Sequence, residues 1–238
     1  MTPLDRLRLE KAAADCGFEM TPLETAGGIV MRSARFPETV LVSAVGGDSF
    51  QLSASDAAIL PSPGGAASLT VHGFNDLYAI LRSIGANART RPNRVADEFR
   101  RKTASFPKGT EAERLVVQRV GQGLFRGALL DYWQGRCCVT GLDIPELLRA
   151  SHIRPWALCE TDEQRLDVFN GLLLAPHLDA LFDAGLMTVE DSGEVHLGAA
   201  ITMERQQSMG LVEAMTVHGL RAEHREYLRF HRSQVWRG

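Results

Sequence analysis

Residues Ala150 to Gly185 read ASHIRPWALCETDEQRLDVFNGLLLAPHLDALFDAG, and the rest of the chain is organised around them. The stretch sets one histidine, His152, in a short apolar run, and later places an Asn-Gly pair, Asn170 and Gly171, at an expected tight turn of positive φ. A second apolar run, Leu172 to Leu174, follows. Next comes a segment carrying His177, Asp179 and Asp183, the last two at helical spacing. Pro176 suits the first position of that helix. The order predicted is strand, loop, strand, helix, with a lone base facing a cluster of candidate metal ligands. Such a layout suits phosphodiester cleavage: an imidazole titrating near neutrality takes a proton from water, and a metal ion stabilises charge on the leaving oxygen.

Three elements in this order, Ser151 to Trp156, Asn170 to Leu174 and Leu178 to Asp183, resemble the HNH endonucleases and their ββα-metal motif. More narrowly they are similar to a branch containing many restriction-type enzymes, with Ser-His-Ile-x-Pro-Trp, Asn-Gly-Leu-Leu-Leu and Leu-x-Ala-Leu-Phe-Asp elements. The similarity extends over Arg119 to Gln122, Phe125-Arg126, Arg136-Cys137 and Thr140-Gly141, roughly Thr110 to Trp236, and leaves the first ninety or so residues unexplained. It implies a metal-dependent DNA endonuclease that restricts foreign or modified DNA. His152 would activate water and Asn170 would tie together the loop holding it. The helix after Leu174 would lie against the DNA backbone and minor groove. Where relatives commonly place a histidine nine positions after the asparagine, this chain has Asp179; Asp183 and His177 are the other candidate ligands. Oxygen donors favour Mg²⁺ or Mn²⁺, with Zn²⁺ or Ni²⁺ as alternatives. The acidic residue that often precedes the catalytic histidine is Ser151 here, which leaves a second reading open: a DNA-binding or sensing module whose nuclease site has decayed. A third is an interaction protein that uses the motif as scaffold.

Composition allows this chemistry without pointing to it. With 238 residues, 45% apolar and 23% charged, the chain can bury a sizeable core in one large domain or two small ones. No apolar run approaches the about eighteen residues of a membrane span, and the charged N-terminus does not read as a secretory signal. The four cysteines form no CxxC pair, so reduced cytoplasmic thiols and no structural zinc are expected. Net charge is −3, yet residues 89–136 carry eleven Lys or Arg against five Asp or Glu, while residues 1–88 carry six against nine. A basic block beside the motif is what phosphate contact requires, and a solvated linker and helix face is the alternative.

The fold class expected is α+β: a small N-terminal α+β domain at 1–88, a basic linker at 89–109, and a ββα-metal nuclease domain with flanking helices at 110–238. The first domain is expected to comprise a helix to Cys16 stopped by Gly17, strands at 28–32, 39–43, 49–53 and 68–72, a turn through Ile59 capped by Ser53 or Ser55, a loop at 61–65, and a helix from Phe74 ended by Gly85. It holds no catalytic constellation; by analogy with modular proteins it serves target recognition or a homodimer. Thr110 to Glu113 has capping-box form, opening a helix towards Trp133 whose apolar face runs Val116, Val117, Val120, Leu124, Ala128, Leu129. Arg119, Gln122 and Arg126 share one side, read as a phosphate-facing ridge or a solvated face; Arg154, inside the motif, is a further candidate DNA contact. Cys137 to Thr140 is expected as a strand, Pro145 to Arg149 as a brief helix. Trp156 reads as a core anchor before a base-stacking platform. A hairpin over 186–197 and an amphipathic helix over 221–235 close the chain, with His224 and His231 as packing or surface residues.

Overall fold

The structure, a computed structural model, describes residues 3–61, 66–91, 93–107, 109–211 and 214–238. It is α+β and divides into two compact units, Met1–Arg91 and Pro92–Gly238.

The first unit opens with α1 (Pro3–Asp15), released by Gly17 at φ +94°. An antiparallel meander follows: β1 (Met20–Thr25), β2 (Gly28–Arg32), β3 (Val40–Gly46), β4 (Ser49–Ala54) and β5 (Ser68–His72), neighbours in sequence pairing in sequence order. Ile29, Met31, Val40, Val42, Phe50 and Leu52 alternate inward, into a core shared with Leu9 of α1 and with Leu77, Leu81 and Ile84 of α2 (Gly73–Arg89). β1 escapes a sequence reading because it buries nothing: an edge strand without an inward face carries no alternation. Two expectations are corrected. α2 runs through Gly85 to Arg89, and Gly85 is a packing residue, since a Cβ there would lie 2.5 Å from the Cys16 carbonyl oxygen. The turn at Ala57–Ile59 is capped by Asp56, whose Oδ1 accepts from the Ala58 amide at 2.9 Å, and not by a serine. The 61–65 loop lies outside the described residues apart from Pro61.

The second unit starts where a linker was expected. Residues Arg94–Thr103 form α3, and Val95, Ala96 and Phe99 enter the core. The basic residues of this segment hid an apolar face of only three positions. α4 (Glu111–Tyr132) begins at the capping box: the Glu113 amide donates to Thr110 Oγ1 (3.2 Å), and the Thr110 amide to Glu113 Oε2 (2.8 Å). Its buried stripe is Gly121, Phe125, Ala128 and Leu129; Val116, expected inside, is 52% exposed. Cys137 to Thr140 is a turn and not a strand, and Pro145 to Leu148 is a turn and not a helix. After it come β6 (Arg149–His152), α5 (Asp162–Leu166), β7 (Gly171–Leu174) and α6 (Pro176–Asp183). β6 and β7 pair antiparallel with His152 opposite Gly171 and Ser151 opposite Leu172. The hairpin of β8 (Met187–Val189) and β9 (Val195–Leu197), the short α7 (Met203–Ser208) and α8 (His224–Gln234) complete the unit. α8 buries His224, Leu228 and His231. His231 donates from Nε2 to the Phe182 carbonyl (3.2 Å) and accepts at Nδ1 from the Thr188 hydroxyl (3.0 Å), its ring stacked on Phe182 at 3.9 Å.

Gly171 corrects a further expectation. Its φ is −147°, extended backbone, so no turn demands glycine there. Space does: a Cβ would fall 2.6 Å from Phe125 Cζ and 2.8 Å from both Leu129 methyls, side chains of α4 that are themselves buried. Gly121 is similar, with Trp156 at 2.8 Å, whereas Gly123 meets nothing within 4 Å. Gly171→Ala is therefore expected to destabilise the unit by ~1–3 kcal/mol through overpacking. Gly123→Ala, which adds helix propensity without a clash, is expected to stabilise it by ~0.5–1 kcal/mol. Urea denaturation of the two variants checks this; equal effects would show that α4 does not press on β7.

Candidate functional site

His152 is the last residue of β6, so its backbone is held in a ladder while its ring lies at the mouth of the following loop. Its Nε2 lies 2.9 Å from the Arg165 carbonyl oxygen. A carbonyl only accepts, so Nε2 carries the proton and Nδ1 is left as the ring's acceptor. The imidazole stacks on Phe125 (centroids 3.8 Å apart, 16° between planes) and meets the edge of Trp156 (5.5 Å, 88°). Burial between these rings pulls its pKa down to about 4, against the smaller opposing pull of the Arg165 carbonyl. The ring is neutral at physiological pH and keeps one tautomer.

The loop that supplies Arg165 is held by Asn170, which has no exposed surface. Its Oδ1 accepts from the Arg154 amide (2.7 Å), and its Nδ2 lies within reach of the carbonyls of Arg154 (3.2 Å) and Gln164 (2.9 Å) and of Cys159 Sγ (3.4 Å). Its own carbonyl accepts from the Ile153 amide at 3.0 Å. One side chain thus joins both ends of the excursion between β6 and β7, using the separate acceptor oxygen and two-hydrogen donor of a carboxamide.

Across the same strand end, Ser151 is buried and its hydroxyl donates to Asp183 Oδ1 at 3.3 Å. Asp179 is one helical turn earlier, also close to Ser151, and half-buried; Asp183 opens to solvent. Desolvation raises both carboxyls above the ordinary carboxylate range. Asp183 is raised further by the Asp179 charge; the Ser151 hydroxyl opposes the rise at both, and Arg149 opposes it at Asp179. Ser151, His152 and Asp183 line one cavity of about 350 Å³, walled also by Pro155, Trp156 and His231. Neither His177, in the first turn of α6, nor Asp179 lines it; Asp179 reaches the group through Ser151. Among the described residues no group of three or more His, Cys, Asp or Glu is arranged to hold a metal ion; what is gathered is a carboxylate pair and a serine hydroxyl.

The arginines divide. Arg119 and Gln122 are exposed on α4. Arg126 is turned inward, donating to the carbonyls of Leu148 (2.7 Å) and Pro145 (2.6 Å), and so clamps the turn before β6. Arg154 is also committed within the fold, to the Leu158 carbonyl (2.9 Å), Glu160 (3.0 Å) and the face of Phe230 (4.6 Å). Three more cations of the basic block are paired at the surface: Arg100 with Asp97 and Glu163, Lys102 with Glu98, Arg136 with Asp143. Sequence reasoning missed the Arg165 carbonyl, Phe125 and His231 as parts of the site. A backbone acceptor leaves no mark on residue identity, and the other two lie on distant helices.

His152, His224 and His231 all have pKa values drawn down to about 4 by burial. The unfolded chain binds protons at these sites from about pH 6.5 downward, the folded chain only near pH 4, so stability falls as pH falls through that window. Each site contributes up to ~1.4 kcal/mol per pH unit. Asp167, Asp179 and Asp183, raised by burial, act in the opposite direction, retaining stability in acid. Denaturant midpoints are expected to drop steadily from pH 6.5 to 4.5; a flat profile would mean the three rings are not held neutral.

No curated protein matches the chain. Residues 137–190 match the model of a protein family described as HNH endonuclease, a span running from the turn at Cys137 to β8 and containing His152, Asn170, Asp179 and Asp183, so this part of the second unit is similar to an HNH endonuclease domain.

Proposed function

We propose that the second unit is a metal-dependent DNA endonuclease in which His152 is the general base and Asp179, Asp183 and Ser151 hold a divalent cation. The observation that carries the reading is the tautomer of His152: with Nε2 donating to Arg165, Nδ1 is the basic nitrogen of a ring that lines a cavity shared with Asp183. A neutral imidazole fixed by a backbone carbonyl can take a proton from water as water attacks phosphorus. Asn170 positions it by holding the loop that carries the carbonyl.

The residues fit a cation. Two carboxylates one turn apart, each disfavoured as an anion by desolvation, gain from a positive charge between them, and the donors are all oxygens. This supports Mg²⁺ or Mn²⁺ over Zn²⁺ or Ni²⁺, since the groups that meet at Ser151 are two carboxylates and a hydroxyl. When bound, such an ion supplies Lewis-acid stabilisation of the scissile phosphate and the leaving 3′ oxygen. Exposed Arg119 and Gln122 are candidate backbone contacts; Arg126 and Arg154 act instead by shaping the site. Restriction of foreign or modified DNA is the biological role we assign, with the first unit in target recognition or homodimerisation.

In a supercoiled-plasmid nicking assay with Mg²⁺ or Mn²⁺, His152→Ala is expected to cost ~10²–10⁴-fold in rate. Asp183→Asn is expected to lose cleavage and shift the metal requirement upward, while His177→Ala stays near wild type. A wild-type protein that binds DNA yet cleaves under no divalent metal would overturn the proposal.

A further inference from the structure

Behind Trp156 lies a second recess, a groove of about 520 Å³ between α3, α4 and α5. Phe99, Val117 and Trp156 give it an apolar, partly aromatic lining, and Arg114, Gln118, Asp162 and Arg165 complete the lining with polar residues. The Arg165 guanidinium lies 6.0 Å from the Trp156 ring and is steadied by Asp162 (3.1 Å) and the Cys159 carbonyl (2.5 Å). Trp156 lines this groove and the His152 cavity alike, and its indole meets the His152 ring edge at 5.5 Å.

We infer that the groove takes one unpaired nucleotide of the DNA, displaced from its stack next to the phosphate that is cut. The inference deepens the nuclease reading and rests on it. A nucleotide is a flat aromatic body with hydrogen-bonding edges and an anionic link, and the groove offers aromatic and aliphatic surface for the base, the Gln118 amide for its edge, and for phosphate the charge of Arg165, which Asp162 holds in place. A paired base is already stacked and hydrogen-bonded within the duplex and presents only its edges. A site of this size and lining therefore favours DNA in which one base is free: a bulge, a mismatch or a damaged position. Trp156 is fixed in this wall by packing, because Gly121 of α4 leaves the notch that its ring occupies.

The test measures binding of two fluorescein-labelled duplexes by anisotropy, with a chelator present so that nothing is cut. One duplex is fully paired; the other carries a single bulged adenine. The bulged duplex is expected to bind ~10-fold tighter or more, the range of one base–aromatic stack. Val117→Leu with Gln118→Leu, which fills the groove from α4 without adding charge, is expected to erase that preference and leave affinity for the paired duplex unchanged. Should the double variant not fold, Gln118→Leu alone reads the same loss at smaller amplitude. Equal affinities in the wild type, or a preference that survives the leucines, would overturn the inference. So would displacement of the bulged duplex by free dAMP at comparable concentration, which would make the groove a mononucleotide site. The two failures are distinguishable: plasmid cleavage without bulge preference removes only the groove, whereas bulge preference without metal-dependent cleavage removes the nuclease and leaves the groove as a binding site for an unpaired nucleotide alone.

Discussion

The excursion between β6 and β7 is held by a single buried carboxamide. Asn170 reaches the backbone at Arg154 and Gln164 and the thiol of Cys159, spanning both ends of the loop. A buried polar group that is fully partnered defines one conformation sharply, because every alternative leaves donors or acceptors orphaned away from water. Arg165 belongs to that loop, and its carbonyl decides which nitrogen of His152 carries the proton. The chemistry of the imidazole is thus set by a side chain that never touches it.

Around this staple the second unit arranges opposed demands. Aromatic burial keeps His152 neutral, which leaves its Nδ1 lone pair unprotonated but lowers its basicity; partial desolvation disfavours the anions of Asp179 and Asp183, which a cation would offset. Both effects are desolvation, acting on groups of opposite sign. α4 governs how close the parts come. Glycines at 121 and 171 admit Trp156 and the α4 side chains, so the indole and the Phe125 ring both reach His152. Arg126 and Arg154, cations beside a proposed DNA site, serve the architecture: each is anchored to backbone carbonyls, and their field is what remains for a phosphate.

Periodic features were legible from residues alone. Strand alternation marked β2, β3, β4 and β5 to within a few residues, the Thr110–Glu113 capping box marked the start of α4, and the order strand, loop, strand, helix through residues 149–183 holds as read. Features that depend on a partner were not. Gly85 and Gly171 resemble a stop and a turn in sequence, and each proves to be a close approach, since glycine's missing Cβ serves both uses. α3 looked like a basic linker because most of its residues are charged and its buried face is short. β1 exposes both faces and leaves no pattern at all.

For the site the division is similar. The sequence by itself determined which groups are present and in what order, because helix and strand spacing are local: His152 at a strand end, Asn170 before the second strand, Asp179 and Asp183 one turn apart. Only the tertiary structure decided what those groups are chemically. The proton position on His152, the drop in its basicity, the rise of the two carboxyls and the inward commitment of Arg126 and Arg154 all depend on atoms far away in the chain. Local spacing places side chains along an element; charge state and free lone pairs follow from what folding brings against them.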